Sequence, residues 1–280
     1  MRSFFNVGLL VGLCFAILLS SCAPRLAAAP LIVDPPSTPI PTLTSTPPAT
    51  ATVEIPAPVE PTFTPTSAAC QINRVKAIPV FDQNGLLKSF DTPDKFIVLT
   101  IDDGYNNEVL NQMLDILEEH GARATFFLVG TSFGKNIQRD TFQRLVDNGH
   151  DIGYHSLTHP DVNIIDGMSQ EEWLQDYQDW SDALRAVIGD DLYSRGVTPY
   201  VRAPWGRWTA EFMQAAHKQG FTPVYWSADE HTFEPNRMPL KPGGILILHI
   251  IPENLDELQQ LMKTDWQIIS LREALSETCN

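Results

Sequence analysis

The chain has 280 residues, with 34 Asp and Glu against 19 Lys and Arg, and a formal net charge of −15. So acidic a protein repels phosphate and other polyanions, which excludes nucleic acid as a partner. Of its 22 prolines, 12 fall between residues 23 and 69, so the whole length cannot be one packed core.

Residues 1–21, MRSFFNVGLLVGLCFAILLSS, place Arg2 ahead of an apolar run of signal-peptide length. A retained transmembrane anchor is the competing reading of that run. The segment Leu19-Ser20-Ser21-Cys22 resembles a bacterial lipobox, which implies cleavage before Cys22 and lipidation of that cysteine. The protein is then expected to be exported and lipid-anchored to the membrane, facing the cell envelope or exterior. Residues 22–69 are dominated by Pro, Thr, Ala and Ser, the composition of an extended, semi-rigid tether. Residues 70–280 suit a single domain without internal repeats, expected to be a monomer. Cys70 and Cys279 bracket that domain. In an oxidising compartment they can form a disulfide between its ends; two unpaired thiols are the alternative.

Within the domain, strand-like runs alternate with helical patterns. FIVLTI (96–101) precedes a helix from Asn107 in which Val109, Leu110, Met113, Leu114 and Leu117 share a face, closed by Gly121. ATFFLVG (124–130) is the next strand, followed by a helix over 139–149 and the strand HDIGYHS (150–156). An acidic helix over 169–189 leads to YVRAP (200–204), and a helix over 209–220 to TPVYWSAD (222–229). GGILILHI (243–250), a helix over 253–263 and WQIISL (266–271) complete the chain. About seven such repeats predict an α/β fold with a mainly parallel sheet closed as a barrel.

Asp102, Asp103, His155, Arg202, Asp229 and His249 each stand at or just beyond the C-terminal end of a predicted strand. In a parallel barrel those ends share one face, the face on which sites are built. His155 and His159 are four residues apart, and Pro160 favours a turn rather than a helix there. Two imidazoles and one carboxylate make the open three-ligand set of catalytic zinc. One of the adjacent aspartates can then bind metal while its neighbour takes a proton from the metal-bound water. An acidic helix cap before residue 107 explains one aspartate but not two.

The motifs TIDDG, HSLTH, RAPWG and LILH, with ATFFLVG and NGHDIGYHS between them, are similar in content and order to those of the polysaccharide deacetylases. This is the NodB-homology group, carbohydrate esterase family 4, and the resemblance spans about residues 94 to 275. It implies a distorted (β/α)7 barrel that hydrolyses N-acetyl groups on an acetylated polysaccharide or oligosaccharide; some relatives cleave O-acetyl groups of xylan. A non-catalytic glycan-binding protein on the same fold is the reading from another class. The resemblance implies that Asp103, His155 and His159 hold one divalent metal ion, most often zinc. It also implies that Asp102 is the general base and Arg202 orients it. The backbone N–H of Trp205 receives the oxyanion, and His249 protonates the departing amine. The Trp205 ring is left open between a sugar-groove wall and core packing. His120, His150, His217 and His231 match no ligand position.

The chain departs from the family pattern at its fourth motif. Thr232 and Phe233 stand where the family pattern has Asp and Trp, so the usual partner of the last histidine is missing. Asp229, just past its strand, is the candidate replacement.

Overall fold

The computed structural model describes residues 76–229 and 240–276. The leader and tether, Cys22, Cys70, Cys279, His231, Thr232 and Phe233 lie outside the described residues. Among the described residues no helix is long and apolar enough to cross a membrane.

A hairpin of β1 (Ile78–Phe81) and β2 (Leu87–Asp91) precedes the alternating elements. These are β3 (Phe96–Asp103), α1 (Asn107–Glu119), β4 (Thr125–Leu128), α2 (Arg139–Asp147) and β5 (Asp151–Tyr154). Next come α3 (Val162–Ile165), α4 (Gln170–Gly196), β6 (Val197–Val201), α5 (Ala210–Lys218) and β7 (Thr222–Pro223). The last are β8 (Gly244–His249), α6 (Glu253–Met262), β9 (Gln267–Ile269) and α7 (Leu271–Leu275).

The parallel sheet runs β7-β6-β5-β4-β3-β8, and β9 also pairs with the start of β3. Its two ends approach through the chain beyond β7. Val224 bridges Leu87, and Ala228 bridges Leu246 on β8. Ser227 N–H donates to the Ile245 carbonyl at 2.8 Å, and Ile247 N–H to that of Ala228 at 3.0 Å. The sheet therefore curls into the distorted (β/α)7 barrel expected from sequence.

β3 shows why an unbroken apolar run forms a central strand: both its faces are buried. Phe96 and Val98 belong to the inner cluster with Phe127, Val224 and Ile245. Ile97, Leu99 and Ile101 belong to the outer one, where α1 presents Leu110, Met113 and Leu114. Gly153 on β5 makes room inside the barrel, since a Cβ there would lie 2.6 Å from the Phe127 ring. Thr100 and Asp102 continue the inward side of β3, so a hydroxyl and a carboxylate top an apolar core.

Six elements differ from expectation. β7 is only two residues long, because Pro223 has no N–H to give a ladder. Gly189, where the acidic helix is expected to end, is a break at φ 79° inside α4, which resumes and runs to Gly196. The β1–β2 hairpin, α3 and α7 have no counterpart in the sequence pattern.

Candidate active site

Strand alternation sends Asp102 into the barrel and would send Asp103 to the opposite face. Asp103 instead takes a left-handed conformation, φ 82°, followed by Gly104 at φ 117°. Aspartate tolerates that region better than most residues, and glycine adopts it freely. Both carboxylates thereby approach the same imidazole. His155 Nε2 lies 3.6 Å from Asp102 Oδ2 and 3.7 Å from Asp103 Oδ1. Neither aspartate caps α1, because Asn106 does so, accepting from the N–H groups of Glu108 and Val109.

His155 follows β5 directly and is buried. Its Nδ1 lies 2.9 Å from the Arg202 carbonyl; with Nδ1–H donating there, Nε2 keeps its lone pair for the site. Burial pushes this imidazole down to about 3, so it is neutral and able to ligate at ordinary pH. His159 adopts φ 53°, its N–H donates to Ser156 Oγ at 2.8 Å, and its Nε2 lies 3.7 Å from Asp103 Oδ1.

Arg202, at the end of β6, is fully buried. Its Nη1–H groups reach Asp102 Oδ1 at 2.7 Å and Thr100 Oγ1 at 2.8 Å. Nε–H and Nη2–H reach the carbonyls of Val224 and Tyr225, each at 3.1 Å, and the guanidinium lies 4.4 Å from the centre of the Phe127 ring. With Oδ1 tied to Arg202, Oδ2 is the oxygen Asp102 turns toward His155. Burial raises the Asp102 carboxyl above the ordinary carboxylate value, and Arg202 and then His249 oppose that rise.

Trp205 lies in the turn after β6, at φ 57°. The residue is 63% exposed, which rules out core packing, and its ring meets that of His159 in a T-shaped contact with centroids 4.7 Å apart. The indole N–H donates to the Pro160 carbonyl at 3.0 Å. His249 is the parallel-register partner of Asp102, and its N–H donates to Asn254 Oδ1 at 2.6 Å. Asp229 comes one residue after the Ala228–Leu246 bridge, on the chain flanking β8. His120 binds the Ile116 carbonyl and His150 the Ala124 N–H, so neither belongs to the site.

Asp103, Ser156, His159 and Trp205 are all the non-glycine residues with positive φ among those described. Three of them carry site groups, and Ser156 lies between the two histidines. Backbone strain is thus concentrated here, at about 1–3 kcal/mol per residue.

The donor set fits a divalent metal. One atom each from Asp103, His155 and His159 lie within 4.8 Å of one another. The two 3.7 Å separations from Asp103 compare with ~3.4 Å between ligands around tetrahedral zinc, taking ~2.05 Å bonds. Thr100, the first residue of TIDDG, bonds Arg202, and Asn254, which lies outside the motifs, accepts from the His249 N–H. The signal for Thr100 is a polar residue two positions before Asp102 on the inward side of an apolar strand.

A family model for polysaccharide deacetylases matches residues 90–224. A chitooligosaccharide deacetylase of Azorhizobium caulinodans is 34% identical over 162 residues, covering 55% of this chain and 72% of that one. A peptidoglycan-N-acetylmuramic acid deacetylase of Bacillus subtilis is 27% identical over 220 residues, covering 69% and 79%. Among solved structures, a family 4 carbohydrate esterase from Bacillus anthracis is similar with a TM-score of 0.51 at 32% identity, covering 64% and 80%.

Proposed function

The chain belongs to the polysaccharide deacetylase family, carbohydrate esterase family 4, and from that membership we propose that it hydrolyses N-acetyl groups on an extracellular polysaccharide or oligosaccharide, releasing acetate. The carrying observation is the division between two adjacent carboxylates. Asp102 is bound by Arg202, whereas Asp103 groups with two histidines. The two named deacetylases act on N-acetylated sugars, which favours an amide substrate.

A divalent cation held by Asp103, His155 and His159, zinc by the softness and number of the donors, would supply an acidified water and polarise the acetyl carbonyl. Asp102 Oδ2 takes the proton as the water oxygen bonds to the carbonyl carbon. Arg202 fixes the other oxygen of Asp102 and favours its charged form. The Trp205 N–H stabilises the oxyanion. His249 gives its proton to the sugar nitrogen as the C–N bond breaks, leaving acetate and a free amine. Asp229 is the proposed carboxylate neighbour of His249, in place of the family's usual aspartate. The exposed Trp205 ring offers a wall to the sugar.

A pure glycan-binding role would leave the buried Asp102–Arg202 pair without work, since desolvating two charges is costly. O-acetyl ester cleavage needs the same residues, so the substrate comparison decides between the acyl groups. Acetate release from N-acetylglucosamine oligomers should exceed release from acetylated xylan; the reverse order would make this an O-acetyl esterase. We further propose export, a lipid anchor at Cys22, a tether to residue 69 and a Cys70–Cys279 bridge, the last tested by mass spectrometry of an unreduced digest.

A further inference from the structure

We propose that Asp176 is a positioning residue for the metal-ligand loop, holding residues 155–159 so that His155 and His159 face one point. This rests on the metal-binding reading of those histidines and adds to it a residue of α4 that belongs to none of the motifs TIDDG, HSLTH, RAPWG and LILH.

Asp176 touches none of the ligand atoms. A single oxygen, Oδ1, accepts from the Tyr154 hydroxyl at 2.5 Å and from the Leu157 N–H at 2.8 Å. Tyr154 immediately precedes His155, and Leu157 is midway between the two histidines. One carboxylate oxygen thus gathers both flanks of the first ligand. On the other side of the loop, Gly130 N–H donates to the Ser156 carbonyl at 3.1 Å and Thr131 N–H to that of Leu157 at 2.7 Å. Leu157 is gripped at its N–H by α4 and at its carbonyl by the turn after β4.

The loop needs such a grip. Ser156 at φ 65° and His159 at φ 53° occupy a region that residues with side chains keep only when their surroundings enforce it. The grip is also rigid. One turn beyond Asp176, Trp180 is fully buried and its indole N–H donates to the Leu128 carbonyl at 2.7 Å, which ties α4 to the end of β4. The Tyr154 ring packs edge-on against Tyr177 and Trp180, so its hydroxyl is aimed by packing before it meets the carboxylate. A ligand's outer partners set its orientation, and their loss typically weakens metal binding about 10–100-fold.

The test is the zinc affinity of metal-stripped protein, measured by competition with a chromophoric chelator, with circular dichroism checking the fold. Asp176→Ala should bind zinc at least about tenfold more weakly. Asp176→Asn keeps an acceptor oxygen in place and should stay within about threefold of the unaltered protein, a rescue that a purely electrostatic role would not give. Equal affinity in Asp176→Ala and the unaltered protein overturns the inference. Should Asp176→Ala fail to fold, Tyr154→Phe removes one donor and keeps the packed ring; unchanged zinc affinity there overturns the inference instead. Failure of the unaltered protein to bind zinc would sink the metal reading itself, and so is distinguishable from either result.

Discussion

Asp102 and Arg202, 100 residues apart in sequence, meet inside the barrel with 2.7 Å between carboxylate and guanidinium. Their side chains are 2% and 0% exposed, so neither charge is hydrated. Such a pair is a poor source of stability, because desolvation offsets the attraction. In the proposed reaction its use is to favour the ionised carboxylate against the effect of burial.

Replacing Arg202 by Met should therefore act on both stability and pH dependence. A buried carboxylate left alone costs about 3–5 kcal/mol. Burial already raises the Asp102 carboxyl, and losing the guanidinium raises it further. The base works deprotonated, so the acid limb of kcat/KM should move to higher pH, by about 1–3 units. An acid limb that stays in place would show that Arg202 does not govern the charge of Asp102.

The two aspartates should separate cleanly by mutation. Asp103→Ala, His155→Ala or His159→Ala should lose bound metal, seen by elemental analysis, together with activity. Asp102→Asn should retain metal while turnover falls by about 10²–10⁴. An Asp102→Asn protein without metal would exchange the roles assigned to the neighbours.

Asp229 should matter for the proton-donating half of the reaction. Its exchange for Asn removes a carboxylate from the chain flanking β8, and in the proposed reaction His249 is the proton donor. The alkaline limb of the pH–rate profile should move to lower pH with metal content unchanged. If that limb is unmoved, His249 works with another partner.

At the other end of the chain, Cys22→Ala should leave an uncleaved precursor, whereas the normal protein should partition into detergent. A mature protein that starts elsewhere and stays in the aqueous phase rules out the lipid anchor.

The candidate site was legible in sequence because most of its polar residues stand at or just beyond the end of an apolar strand, and parallel strands end on one face. Geometry within the site was not. That Asp103 turns back beside Asp102 depends on φ 82° at a position where sequence predicts only a strand end. Asp176 bonds a backbone N–H, and a main-chain donor leaves no residue type to recognise. An aromatic in a turn suits groove or core alike, and only the 63% exposure of Trp205 excludes the core. The helix break at Gly189 was visible, but not that the chain resumes a helix beyond it, since one glycine can end or merely kink a helix. The hairpin is not legible in sequence because LKSFD lacks a clean alternation and IPVF carries a proline.

The most direct measurement is acetate release from N-acetylglucosamine oligomers by purified protein, before chelation, after it, and after adding zinc back. A metal-dependent deacetylase should release acetate, fall to background when stripped, and recover on restoring about one zinc per chain. Undiminished release by stripped protein, or none from the zinc-loaded protein, would contradict the proposed reaction.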